Sequence, residues 1–257
     1  MILKIKVIQS ILFRNSPPMI ALLLAAGRGE RLRPITDHVP KCLVKIGERP
    51  LLDFWIESVI AAGVSKIFIN THYHAEVVHA FIEQQKHKDK IEILYERELL
   101  GTGGTLRRIG DAIKGENVLI AHADNFCLAP MSDLINCFFE RPYPAEITMM
   151  TFRTETPASC GIVEIDNNGI VQKFYEKVLD PPGNLASGAV FVLNSPIVEF
   201  VKNQKAKYLD FSRDIIPQFL GRINTFENKI YHRDIGTPES YLKCLSDWER
   251  LKHGKIQ

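Results

Sequence analysis

The feature that most constrains this chain is an unbroken apolar run, Ile20-Ala21-Leu22-Leu23-Leu24, that passes directly into Ala25-Ala26-Gly27-Arg28-Gly29. A strand with one wet face alternates apolar and polar residues. A continuous run therefore reads as a strand covered on both faces, as in a parallel sheet between helices. Two glycines behind small residues let the backbone turn sharply and present N–H groups with no Cβ in the way, and such turns take anions. Arg31 and Arg33 follow on the loop, and Lys41 follows Pro40. A guanidinium fork and an ammonium point charge both suit phosphate. A dinucleotide fingerprint needs glycine or alanine where Leu32 stands, and a P-loop needs Gly-Lys-Ser/Thr, so neither motif fits.

The strand-then-helix pattern repeats downstream. Pro50 opens a predicted helix with Leu52, Trp55, Ile56, Val59 and Ile60 at helical spacing and Gly63 at its close. Strands over 66–70 and 91–95 flank a helix over 75–85, and 118–123 is another apolar strand that ends on Asp124-Asn125. Strand, helix and strand with short joints imply a parallel sheet with helices on its faces. Ligands of such sheets bind beyond the carboxyl ends of the strands, so Asp124 faces the place the first loop faces. An aspartate there is otherwise a turn former. Gly101-Thr102-Gly103-Gly104 is a second glycine turn entering a helix, or a plain helix start. From Ala145 the strands shorten, with a hairpin turn at Asp166-Asn167-Asn168-Gly169. Residues 209–220 read as one helix with Pro217 near its end or as two short turns, and Thr237-Pro238 begins a terminal helix.

Composition narrows the class. A length of 257 residues with 46% hydrophobic content fills the core of one large α/β domain, and a net charge of +2 without basic runs does not suit a dedicated nucleic-acid binder. The five cysteines are scattered and never spaced CxxC, which points to reduced thiols rather than disulfides or zinc. His72, His74 and His79 lie close in sequence without clean ligand spacing, so no zinc site is expected there. No stretch reaches the roughly 18 apolar residues of a membrane span. Residues 1–18 are apolar with Lys4, Lys6 and Arg14 and have no small-residue cleavage site. We expect translation to begin at Met19, the alternative being an edge strand or surface helix.

Gly27, Gly29, Arg31, Pro34 and Pro40-Lys41 form G-x-G-x-R-x-x-P…P-K. This resembles the signature of the sugar-1-phosphate nucleotidyltransferases, the enzymes that make nucleotide sugars. Leu100-Gly101-Thr102-Gly103-Gly104, Asp124, Phe174-Tyr175-Glu176-Lys177 and Asp234-Ile235-Gly236-Thr237-Pro238-Glu239 extend the resemblance over about residues 20–250. It implies a Rossmann-like (GT-A-like) three-layer α/β fold with a mostly parallel central sheet and a small additional β region. One domain would span 19–250, with a nucleotide-binding half at 19–144 and a sugar-binding half at 145–250, followed by a frayed tail at 251–257.

The resemblance also implies the chemistry. A sugar-1-phosphate oxygen would attack the α-phosphorus of a nucleoside triphosphate, with Mg²⁺ on Asp124 and Asp234 and with Arg31 and Lys41 as catalytic cations. Leu24, Ala25, Ala26, Gly27, Gly29, Glu96, Gly101, Thr102 and Gly103 would hold the nucleotide, with Glu96 a base contact by position alone. Asn125, Gly161, Glu176, Lys177 and Ser187 would hold the sugar phosphate. Glu30 stands where many members have threonine and should point away from the nucleotide, and Ala123-Asp124 replaces the commoner Gly-Asp. Whole-chain texture is most similar to bacterial mannose-1-phosphate guanylyltransferases, so GTP and mannose-1-phosphate are the expected substrates. Alternatives are glucose, heptose or N-acetylmuramate phosphates with UTP or GTP, a non-catalytic nucleotide-sugar-binding homologue, or a scaffold protein. Cytoplasmic location is expected, without nucleic-acid or membrane partners, and a homo-oligomer is compatible.

Overall fold

The computed structural model describes residues 19–113 and 115–254. The expectations for residues 1–18 and for the last three residues of the tail lie outside the described residues. In chain order the first half comprises β1 (Met19–Leu24), β2 (Lys45–Ile46), β3 (Arg49–Pro50), α1 (Leu51–Ala61), β4 (Lys66–Thr71), α2 (Ala75–Glu83), β5 (Ile91–Tyr95), α3 (Thr102–Ile109), β6 (Asn117–His122), β7 (Asn125–Cys127) and α4 (Met131–Phe139). The second half comprises β8 (Ile147–Arg153), β9 (Gly161–Ile165), β10 (Val171–Glu176), β11 (Leu185–Leu193), α5 (Ser195–Lys202), β12 (Ile223–Glu227), β13 (His232–Asp234) and α6 (Pro238–Lys252).

β1 is central, parallel to β6 on one side and to β4 on the other, with β5 parallel beyond β4. Its side chains alternate between two cores, which is why no polar residue interrupts it. Ala21 and Leu23 pack with α1 residues Leu52, Trp55 and Ile56, whereas Ile20, Leu22 and Leu24 pack with Leu106 of α3 and Ile197 of α5. This is the three-layer α/β arrangement, and it sends the ends of β1, β4 and β6 to one rim of the molecule. The cysteines are all free, with Cys42 and Cys244 inside the core. Among the described residues no helix is long and apolar enough to cross a membrane.

The β region after Ala145 is continuous with the central sheet. β11 runs antiparallel to β6 and carries β9 and β8 with it, giving a nine-stranded mixed sheet whose main path is β10-β9-β11-β6-β1-β4-β5. β11 is bulged between Ser187 and Phe191, where Ala189 takes a φ of 52°, and such a bulge re-aims side chains next to a site. Residues 209–220 form two short turns, Phe211–Ile215 and Ile216–Phe219, rather than one helix. α6 extends to Lys252, so residues 251 and 252 continue the helix instead of fraying.

One small pairing matters most for the site. β7 and β13 are three-residue strands that pair antiparallel, with Asp234 opposite Asn125. That register brings the aspartate of the C-terminal segment beside Asp124.

Candidate active site

Lys41 lies in a short turn, Lys41–Leu43, and is only 5% exposed. Its Nζ donates to Asp124 Oδ2 at 2.9 Å and to Asp234 Oδ1 at 3.0 Å, so one ammonium sits between carboxylates remote in sequence. A guanidinium nitrogen of Arg31 stands 3.6 Å from Asp234 Oδ2. Burial alone would lower the Lys41 pKa, but Asp124 and Asp234 raise it above the usual lysine value. Burial likewise opposes ionisation of Asp124, and the Lys41 charge with that of His122 outweighs it and lowers the pKa. Lys41 and Asp124 are both charged at neutral pH. Two carboxylates facing one point are a fitting donor set for a hard divalent ion that keeps waters and takes substrate oxygens. Among the described residues no third His, Cys, Asp or Glu joins them in a metal-binding group.

The glycine loop closes over this centre. Gly29 has a φ of 64°, and a Cβ there would lie 3.0 Å from Thr36 Cγ2 and 3.2 Å from Lys41 Cβ, so this turn demands glycine. Thr36 Oγ1 donates to the Gly29 carbonyl at 2.8 Å. Gly27 has open space where a Cβ would be, which leaves its backbone free to meet a ligand. Glu30 pairs with Arg28 at 3.6 Å, both side chains more than half exposed.

On the nucleotide side, several of the expected residues already have partners within the protein. Glu96, expected as a base contact, is 2% exposed. Its carboxylate accepts from Thr105 Oγ1 at 2.6 Å, from Asn70 Nδ2 at 3.2 Å and from the Leu100 N–H at 3.2 Å. The Ala25 N–H donates to Asn70 Oδ1 at 2.7 Å. Gly101 and Gly103 are glycines because of Leu209, whose carbonyl oxygen would lie 2.4 Å from a Cβ on Gly101 and whose side chain would lie 3.0 Å from one on Gly103. That carbonyl also accepts the Gly103 and Gly104 N–H groups. Leu24, Ala26 and Gly103 are themselves buried, while Gly101 and Thr102 are half-buried.

Among the residues expected to hold the sugar phosphate, Glu176 pairs in register with Gly161 across β10 and β9. A Cβ on Gly161 would lie 2.8 Å from Glu176 Oε2 and 2.5 Å from the Phe174 ring, so intramolecular packing already requires this glycine. Lys177 has a φ of 52° and its Nζ lies 3.5 Å from Glu176 Oε1. Ser187 Oγ accepts from the Ala189 N–H within the bulge. Asn125 is buried, and its carbonyl accepts from Trp55 Nε1 at 2.8 Å, which ties α1 to β7.

Two residues near the aspartates escaped the sequence reading. His122 and His232 each stand two places before a site aspartate, and that repeated His-x-Asp was the available signal. Burial lowers both pKa values, His232 to about 4. The His232 ring leans on Phe152 at 4.4 Å, and its Nδ1 is buried without a partner. His72, His74 and His79 take separate partners at Glu96 O, Asp37 O and Thr71 Oγ1. A cleft of about 780 Å³ opens at Arg31 and Asp234 and runs outward past Phe152, Cys160 and the start of α6, beside the Lys41 centre rather than over it.

Residues 20–250 match the profile of the family described as nucleotidyl transferase. The mannose-1-phosphate guanyltransferase of Schizosaccharomyces pombe is 27% identical over 91% of this chain, and the mannose-1-phosphate guanylyltransferase of Mycobacterium tuberculosis is 26% identical over 90%. The chain spans 66% and 64% of the length of those relatives. Among solved structures, a putative glucose-1-phosphate thymidylyltransferase from Bacillus anthracis superposes with a TM-score of 0.80 at 20% identity, covering 90% of this chain and 95% of its own. HddC from Yersinia pseudotuberculosis, complexed with GMP-PN, gives 0.72 at 23% identity, covering 89% of this chain and 99% of its own. At such identities the two structures speak for the fold.

Proposed function

Because this chain belongs to the nucleotidyl transferase family, we propose that it is a sugar-1-phosphate nucleotidyltransferase that uses Mg²⁺. The observation that carries the reading is the buried Lys41 ammonium between Asp124 and Asp234, beside a glycine loop at the ends of β1 and β6. An oxygen of the sugar-1-phosphate attacks the α-phosphorus, a new O–P bond forms, and the bond to the β-phosphate oxygen breaks to release pyrophosphate. The attacking oxygen is already ionised at neutral pH, so no general base is needed. The difficulty is repulsion between two anions, and catalysis is positioning with charge neutralisation.

Lys41 acts from a poorly solvated position, where a fixed charge counts for more than it does in water. It gives up its carboxylate partners for the α-phosphate and the incoming phosphate. Asp124 and Asp234 would hold Mg²⁺, which when bound supplies positive charge against the α-phosphate oxygens. Arg31, 68% exposed, is free to reach the departing pyrophosphate with the Gly27 backbone. Glu176 accepts hydrogen bonds from sugar hydroxyls and Lys177 neutralises the sugar phosphate.

For the substrates, the mannose-1-phosphate guanylyltransferases among the relatives favour GTP and mannose-1-phosphate, giving GDP-mannose. Free nucleotides and sugar phosphates of this kind fit a cytoplasmic setting. Pyrophosphate release with Mg²⁺, measured over a grid of nucleoside triphosphates and sugar-1-phosphates, tests the reading. The expected maximum is GTP with mannose-1-phosphate. A different best pair would replace the substrates, and no release from any pair would overturn the transferase in favour of a binding protein.

A further inference from the structure

Asn70 is the penultimate residue of β4, opposite Leu24 of β1 and Leu94 of β5, and is 4% exposed. Its single amide meets two different loops. Oδ1 accepts from the Ala25 N–H, the first donor of the glycine loop, at 2.7 Å. Nδ2 donates at 3.2 Å to Glu96 Oε1 and at 3.2 Å to Thr105 Oγ1, on the segment that bears the second glycine turn. Thr105 Oγ1 donates in turn to the same Glu96 oxygen at 2.6 Å, and Glu96 Oε2 takes the Leu100 N–H that leads into Gly101. The network is closed and internally satisfied, and such buried networks fix geometry more strongly than their separate bonds suggest. Both loops border the strand ends at which a parallel sheet binds its ligand.

We propose that Asn70 is a positioning residue that locks the first glycine loop to the second through Glu96 and Thr105, and so sets the spacing with which the site receives its nucleotide. The inference rests on the transferase reading. An amide is required at this position. One end must accept from a backbone N–H while the other donates to a carboxylate, and neither aspartate nor leucine does both. The residue touches no reacting atom. Its effect therefore falls on nucleotide binding and leaves the sugar phosphate alone.

Asn70→Asp keeps the shape and the acceptor for Ala25 but removes both donors and sets a second carboxylate 3.2 Å from Glu96. It should raise KM for the nucleoside triphosphate about tenfold, with KM for the sugar phosphate within about twofold. Adding Glu96→Gln restores a donor between the two side chains, and the double variant should recover most of the loss. Where Asn70→Asp does not fold, Thr105→Val removes only the hydroxyl that Asn70 meets and should raise the nucleotide KM about threefold. A nucleotide KM unchanged in the variant that folds, both KM values rising together, or a double variant no better than the single would each overturn the inference. A wild-type chain that releases no pyrophosphate from any pair overturns the transferase reading instead.

Discussion

Lys41 and Lys177 are both assigned to phosphate, yet the fold treats them differently. Lys41 is 5% exposed, fixed by two carboxylates, and carried where the central strands β1 and β6 end. Lys177 is 64% exposed, contacts Glu176 loosely at 3.5 Å, and follows β10 at the outer end of the sheet. A buried ammonium is tolerable only because both partners come to it, so the centre is determined by the whole fold. An exposed lysine on a half-buried carboxylate at a sheet edge is constrained by little beyond its own hairpin. On the proposed reading, the interior sets what reaction can be run, and the rim, where a residue can change without disturbing the core, selects the molecule that enters.

The largest expected effect comes from the interior. Lys41→Met keeps the apolar stem and removes the charge, and turnover should fall on the order of 10²- to 10³-fold in the pyrophosphate-release assay. The same change leaves Asp124 and Asp234 facing each other without the ammonium between them, and only Arg31 remains beside Asp234. Mg²⁺ should therefore raise the melting temperature of this variant more than that of the wild type. A variant that kept wild-type turnover would break the distinction between centre and rim.

Lys177→Ala should act on one substrate only. Loss of one exposed charge contact raises KM for the sugar phosphate about tenfold, while kcat and the nucleotide KM stay within about threefold. A fall in kcat as large as that at Lys41 would mean the two lysines share one task, and the comparison would have to be redrawn.

Much of this contrast could be read from the letters. The burial of β1 and the glycine loop after it follow from the missing alternation at residues 20–24. That Asp234 would come to rest beside Asp124 followed from the resemblance alone, because it depends on β7 pairing with β13, strands too short to leave a periodic signal. The burial of Glu96 was not legible because carboxylates are seldom fully buried. The clue to its true setting was Asn70, an amide closing the apolar stretch Ile67-Phe68-Ile69 with Thr71 beside it. β11 was obscured by Ser187-Gly188-Ala189, the bulge that breaks its alternation, so its place beside β6 in the central sheet was not legible.

The smallest expected effect lies at the outer hairpin. Tyr175 Oη donates to Glu164 Oε1 at 2.7 Å and Lys173 Nζ lies 3.0 Å from the other oxygen, all on β9 and β10. The Tyr175 hydrogen bond and the Lys173 contact lower the Glu164 pKa below its ordinary 4.5. A depressed carboxylate contributes stability above its unfolded pKa and loses it as pH falls through the folded value. Tyr175→Phe should therefore lower the melting temperature by no more than about 2 °C at pH 7. Even that difference should begin to shrink as pH falls below 4.5 and vanish once pH passes the lower folded value, where Glu164 is protonated. Thermal unfolding at the two pH values checks it. A large loss at Tyr175 would show the rim to be as tightly coupled to the core as Lys41, and the freedom assigned to substrate selection there would be gone.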